Sequence, residues 1–267
     1  MNRILVGSDL DFEVHSATTF LFQIAASQTD HQTILSEQFA IEPFTPYAEC
    51  RIGLEGNRLH RITAGAGHLS IQYRAVVQRQ STQASGSYVP ETDYAFLPPD
   101  ALSYLNPSRY CESDLLSRFA FEEFGQMERG ISRVQAVCDW VYEHLEYTPG
   151  STGPTTTATD VLLQRVGVCR DFSHLMITLC RALGIPARYV SGYAVNLQPP
   201  DFHGFVEVYL NGRWYLFDAT RLAPISGLAR IGTGRDAADV ALTTRTGNAM
   251  MTSMYVWAHL ADEPWSV

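Results

Sequence analysis

The sequence predicts an α+β protein in which an N-terminal, antiparallel β-sandwich-like domain, residues 1–85, precedes a unit of helices packed on an antiparallel sheet, residues 86–267. Three observations predict this. From about Phe12 to Gln80 apolar residues alternate with polar ones, most clearly at Leu69, Ile71, Tyr73, Ala75 and Val77, the period of a strand with one buried face. From Ser113 to Leu183 the period lengthens to that of a helix. After Pro186 runs of β type return.

Within the first region Phe12-Val14 and Phe39-Ile41 carry the same alternation, and Glu55-Gly56-Asn57 and Gly65-Ala66-Gly67 are turn signals between short strands. Closely spaced turns suit a meander or sandwich rather than a βαβ fold. The polar stretch Gln80–Ser87, followed by Pro90, Pro98, Pro99 and Pro107, marks the boundary. Ser113-Asp114 is placed to cap a short helix reaching about Phe124. Ile131, Val134, Val137, Cys138, Val141 and Leu145 form one face of a second helix, which puts Cys138 in the core. A polar loop, residues 148–154, leads to a short helix through Val161-Leu162-Leu163 and then to a longer one starting near Cys169. The β signals that follow cover Arg188–Tyr193, Phe205–Leu210, Arg213–Phe217 and Met254–Trp257.

Composition excludes several classes. A chain of 267 residues with 46% hydrophobic and 18% charged residues is an ordinary globular protein, long enough for two domains at about 150 residues each. No apolar run is long enough to span a membrane and no signal peptide is evident, so the expected location is the cytoplasm. A net charge of −9 argues against nucleic acid or an anionic membrane as partner. The five cysteines are odd in number and widely spaced, as reduced thiols are. No CxxC pair, Walker A sequence or GxGxxG after a strand is present, so no metal and no cofactor is expected.

The stretch Gly167-Val168-Cys169-Arg170-Asp171-Phe172 carries the chemistry. Phe172, Leu175, Met176, Leu179 and Leu183 have the spacing of a helix with one buried face, which Gly184 and Pro186 end. Cys169 then sits in the first turn, where free N–H groups and the helix dipole favour a thiolate. The alternative is a small buried hydrophobe.

A nucleophilic thiol needs a base and a group to orient that base. His174 lies five residues along the same helix, about 140° around its axis, and reads as a surface or packing residue. His203 is better placed. It opens the run His203–Leu210, which Asn211-Gly212 joins to Arg213–Asp218, and Asn-Gly between two β runs is a strong hairpin signal. With Asn211 and Gly212 as the loop residues, position i pairs with position 423 − i, so His203 faces Thr220 and Phe205 faces Asp218. His203 and Asp218 are then diagonal neighbours on one face, with Cβ atoms ~6–8 Å apart. Asp201, ~6.6 Å from His203 along the strand, competes for the orienting role. Glu207 is roughly 13 Å away and is a poor orienter. A structural His203–Asp218 pair at a sheet edge is the other reading of these residues.

The order Gly-Val-Cys-Arg-Asp-Phe, then Leu179–Tyr193, His203 with Glu207-Val208-Tyr209, Trp214–Thr220 and Gly234–Val240 resembles the bacterial transglutaminase-like superfamily, whose members are often described as cysteine proteases. The β region with Gly56-Asn57-Arg58 is similar to the N-terminal domain that commonly precedes that core. The resemblance implies a papain-like α+β core with a Cys-His-Asp triad on Cys169, His203 and Asp218. The chain departs from the pattern twice: the histidine is often followed by Ala-Trp, here Gly204-Phe205, and the aspartate by Pro-Thr, here Ala219-Thr220.

The expected function is thiol-dependent acyl transfer, a cysteine peptidase or amidase acting on a peptide or protein substrate. The Cys169 backbone N–H is the expected oxyanion donor, with Gln164 or Trp140 as candidates for a second. The alternatives are a protein-glutamine transglutaminase with an amine acceptor, and a non-catalytic peptide-binding module. A metal site using Cys169, His203 and an aspartate lacks a fourth well-spaced ligand.

Overall fold

A computed structural model describes residues 2–80 and 88–261. In chain order the elements are β1 (Asn2–Val14), β2 (Thr18–Phe22), β3 (Gln32–Glu42), β4 (Tyr47–Ile52), β5 (Asn57–Ala64) and β6 (Gly67–Arg79); α1 (Pro99–Leu102), α2 (Ser117–Phe124), α3 (Ile131–His144), β7 (Glu146–Tyr147), α4 (Ala158–Gln164), β8 (Val166–Gly167) and α5 (Cys169–Ala182); then β9 (Ala187–Ala194), β10 (Phe202–Leu210), β11 (Arg213–Phe217), β12 (Leu228–Gly234), β13 (Thr243–Thr246) and β14 (Ala249–Leu260). Among the described residues no helix is long and apolar enough to cross a membrane.

The fold is α+β, as expected, with two antiparallel sheets at the N-terminal end and helices on a third. The first two have strand orders β14-β1-β6-β3 and β13-β2-β5-β4. Ile4, Val6, Leu10, Phe12 and Val14 of β1 share a core with Phe20, Phe22, Ile62, Ile71 and Tyr73. The β region therefore begins at Asn2, ten residues before Phe12, because the alternation of β1 runs through its whole length with Asp9, Asp11 and Glu13 half-buried on the other face.

The division into residues 1–85 and 86–267 needs a correction. β13 pairs with β2 and β14 pairs with β1, both antiparallel, so residues 243–260 complete the N-terminal sheets. Val256 and Ala258 join the core formed by β1 and β6. Alternation shows a strand but not its sheet, so this closure had no local signal. The proposed linker falls at residues 81–87, outside the described residues. The expected cap at Ser113-Asp114 is also displaced: α2 starts at Ser117, whose hydroxyl donates to the Ser113 carbonyl at 3.0 Å.

The third sheet, β11-β10-β9-β12, carries α5 on one face. Every residue of β9 and β10 is buried. Ala187, Tyr189, Val206 and Val208 pack with the helices, while Tyr193, Val195 and Phe202 join the core of the N-terminal sheets. Two-sided burial explains why these strands read as nearly continuous apolar runs. The β10–β11 hairpin has the register that its Asn-Gly turn predicts, Val206 opposite Phe217, with Asn211 and Gly212 both at positive φ (45° and 83°).

Side-chain amides fasten β12, an edge of this sheet, to the N-terminal unit. Asn57 donates to the Thr233 carbonyl at 2.8 Å and accepts from its N–H at 2.9 Å. Gln32 does the same to Arg230, at 2.8 and 2.7 Å. Each amide supplies one step of a strand ladder, leaving the edge fewer open groups. The Tyr193 hydroxyl completes the joint, donating to the Ile24 carbonyl at 2.8 Å and lying 3.1 Å from Ser8 Oγ. Tyr193→Phe leaves that carbonyl without this donor in a fully buried setting, and is expected to lower unfolding free energy by about 1–2 kcal/mol, measured by urea denaturation.

Candidate active site

The site is built at the start of α5. Val168 is its N-cap and Cys169 the first helical residue. The conformation is held by Asp171, which is fully buried. Its Oδ2 accepts from the Val168 N–H at 2.9 Å and from Thr152 Oγ1 at 2.5 Å, and its Oδ1 accepts from the Arg170 guanidinium at 2.9 Å. A carboxylate reaching back from the third helical position satisfies one of the amides that a helix start leaves open. Arg170 continues to the Gly153 carbonyl at 2.8 Å, tying down the polar loop. Gly167 is required by close approach: a Cβ there would stand 2.7 Å from Asp171 Cβ. Thus Gly167, Arg170 and Asp171 are the support that presents Cys169.

His203, in β10, is 2% exposed. Its Nε2 lies 3.0 Å from Asp218 Oδ2 and 3.3 Å from Thr220 Oγ1, the residue that the hairpin register sets opposite it. Asp218 in turn accepts from the Thr220 N–H (2.9 Å), the Thr220 hydroxyl (2.6 Å) and the Ala223 N–H (3.1 Å). Burial works to raise the Asp218 pKa, and the hydrogen bonds from His203 and Thr220 together with the charge of His203 outweigh it, leaving the group below its ordinary value. For His203 burial disfavours the charged ring. The hydrogen bond to Asp218 and the interaction with Cys169 prevail, and its pKa rises to about 9. Nδ1 is buried and has no hydrogen-bond partner, so it is the ring nitrogen left for the thiol. Asp218 thus meets His203, and Cys169 is close enough to the same ring to act on its protonation.

Asp201 does not take the orienting position. Its Oδ1 accepts the Phe202 N–H at 2.7 Å, and no hydrogen bond joins it to His203 among the described residues. The two candidates for a second oxyanion donor are also corrected. Gln164 is an exposed residue at the end of α4. The Trp140 ring is stacked on His144 at 4.2 Å, with Phe119 at its edge and Arg165 over its face. Neither is hydrogen-bonded to Cys169 among the described residues.

Tyr147 was missed. The parallel pair β7–β8 sets it opposite Gly167, and its hydroxyl meets Cys169. Burial pushes its pKa up to about 12, with the charge of Cys169 adding to the rise and hydrogen bonding to the Cys169 backbone N–H opposing it. A two-residue parallel bridge has no sequence pattern by which it could have been found. His174 is a packing residue, not a surface one: it is buried, stacked on Tyr110 at 5.0 Å, and its Nε2 accepts the Ala237 N–H at 3.1 Å. Burial holds its pKa down to about 4, as suits a neutral acceptor. It thereby anchors the Gly234–Val240 segment. Among the described residues no group of three or more His, Cys, Asp or Glu side chains is placed to hold a metal ion.

Two family profiles match the chain: "Transglutaminase-like superfamily" over residues 119–219 and "Bacterial transglutaminase, N-terminal domain" over residues 2–88. A crystal structure from Cytophaga hutchinsonii, described as a "Putative Cysteine Protease", is 41% identical and has a TM-score of 0.92, covering 99% of this chain and 92% of that one. The chain belongs to the transglutaminase-like superfamily. It is also similar to uncharacterized protein ML0607 of Mycobacterium leprae, 30% identical over 184 residues, 65% of this chain and 66% of that protein. The human kyphoscoliosis peptidase is 28% identical over 102 residues, 34% of this chain and 15% of that protein. The match therefore spans just under two thirds of the mycobacterial protein and a small part of the human one.

Within this transglutaminase-like core the Gly204 departure has a physical reason. A Cβ at Gly204 would lie 2.4 Å from the Tyr189 hydroxyl oxygen, in a buried ring that cannot swing away. Gly204→Ala is expected to destabilise the protein by about 1–3 kcal/mol through overpacking. Adding Tyr189→Phe should recover part of that loss, measured as a double-mutant cycle in urea.

Proposed function

We propose that the protein is a thiol-dependent acyl-transfer enzyme, a peptidase or amidase that works through an acyl-enzyme on Cys169. The observation that carries this reading is His203, pinned through Nε2 by Asp218, with Nδ1 left unpartnered and Cys169 near enough to raise the pKa of the ring. A base fixed by a carboxylate beside a nucleophile is the arrangement that covalent catalysis needs.

In this mechanism the Cys169 thiolate adds to an amide carbonyl carbon. The oxyanion is received by the Cys169 N–H, with the Tyr147 hydroxyl beside it as the second donor. The C–N bond breaks, and the leaving amine takes the proton held on His203 Nδ1. Water then gives a proton to His203 and adds to the thioester, releasing the carboxylic acid and restoring the thiolate.

A second reading, with an amine as acceptor, is favoured by Asp201. Its carboxylate is close enough to His203 to interact with its charge and to help raise the Tyr147 pKa, and its own pKa is raised by burial despite the Phe202 N–H and His203. A cationic amine would find its counter-charge there. Mass spectrometry of a peptide library with and without a primary amine separates the outcomes. Cleavage or deamidation supports the first reading and amine incorporation the second. No turnover, with peptides bound equally by wild type and Cys169→Ala, would leave a non-catalytic binding module.

Two further outcomes are expected. Cys169→Ala and His203→Ala each lower kcat by at least about a thousandfold with the fold retained, measured with whichever peptide the library yields. Because His203 must stay protonated beside the thiolate, kcat/KM should fall on the alkaline side near pH 9. Asp218→Asn removes a cause that raises this pKa and should move the limb to lower pH. The stability linked to the His203 proton has the same sign: it is present below pH 6.5 and lost as pH rises through about 9.

A further inference from the structure

A cavity of about 710 Å³ lies between the N-terminal unit and strands β10 to β12, away from Cys169. Its wall is an arginine cluster built around Glu207, four residues along β10 from His203 and thus roughly 13 Å away. Burial works to raise the Glu207 pKa, but Arg230 and Arg188 hold it down to about 2. Arg188 also reaches Glu55 at 3.0 Å. Two carboxylates therefore serve two guanidinium groups. Arg79, at the end of β6, lines the same cavity, as do Arg51 and Arg213 and the carboxylates of Asp30 and Asp100.

Arg79 differs from Arg188 and Arg230. Its Nη1 donates to the Ile225 carbonyl at 2.5 Å, and it has no carboxylate within ion-pair distance among the described residues. Burial and the neighbouring charge of Arg230 disfavour its protonated form, and the charge of Glu207 offsets them only in part. Glu207 is already shared by Arg188 and Arg230, so a ligand anion is the partner that would complete the neutralisation of the half-buried Arg79. The receiving groups are already in place. Gln32 fixes the Arg230 backbone on both sides, and Thr233 Oγ1 accepts from its guanidinium at 2.7 Å. Little reorganisation is then needed on binding. The volume falls in the range of small-molecule sites, ~300–1,000 Å³, and exceeds what a bare oxyanion fills. Tyr209 and Trp214 line the remainder.

We propose that this cavity is an anion-binding site, in which the carboxylate or phosphate group of a small organic ligand is held by the guanidinium groups of Arg79 and Arg230. The site is separate from the thiol chemistry and does not depend on it.

The test is calorimetric titration of the intact protein with sodium phosphate and, separately, with citrate, at constant ionic strength and with sodium chloride as the matched control. Saturable binding is expected. Arg79→Gln should weaken it at least about tenfold, since a charge-assisted contact is lost. Arg118→Gln, a fully exposed position on α2, should leave it unchanged. Arg79→Met, which keeps the side-chain stem, has the same expected loss and serves if Arg79→Gln does not fold. Binding of phosphate alone assigns a phosphate-bearing ligand, and binding of citrate alone a carboxylate. Binding of neither, an effect reproduced by chloride, or unchanged affinity in folded Arg79→Gln or Arg79→Met would overturn the proposal.

Discussion

Strands β9 and β10 have no face open to solvent, and the rest of the molecule follows from that constraint. One face needs α5 and its neighbours, the other needs the N-terminal sheets, so neither unit is an appendage of the other. A polar side chain in such a strand must find its partner inside the protein. Besides Tyr209, β10 carries two titratable ones, His203 and Glu207. The first is answered by Asp218 and the second by Arg188 and Arg230. The two sites, the thiol centre and the arginine cavity, are the consequences of burying these two residues four positions apart.

The same constraint explains how the thiol is presented. Helix α5 is packed so completely that even Ser173, His174 and Thr178 are buried. Its first turn is the part that remains half-open, with Cys169 at the edge between core and solvent. Cys111, Cys138 and Cys180 lie inside, and burial pushes their thiols up to about 12 or beyond. An apolar setting makes a thiol inert. Position on the fold, not residue type, separates Cys169 from these three.

Helix and strand placement was legible wherever a period could be counted. The α5 spacing, the β6 alternation and the Asn211-Gly212 turn are local signals, and each led to an element or register that the structure contains. The hairpin arithmetic that set His203 opposite Thr220 required only the turn. Less was legible where partners are distant. Alternation at Met254–Trp257 announced a strand without saying that it closes on β1. Trp140 looked like an available donor because Phe119 and Arg165, which cover its ring, come from other segments.

By itself the sequence determined the α+β class, the helix that begins at Cys169 and the hairpin that carries His203 toward Asp218, because each depends on residues within a few positions of one another. Only the tertiary structure decided that Asp218 rather than Asp201 meets the imidazole, that Tyr147 adjoins the thiol, that β13 and β14 belong to the N-terminal sheets, and that Arg79 faces Arg230 across a cavity. These are contacts between segments tens to hundreds of residues apart, or choices between two local options of equal spacing. Burial and packing geometry settle them, and periodicity carries no information about either.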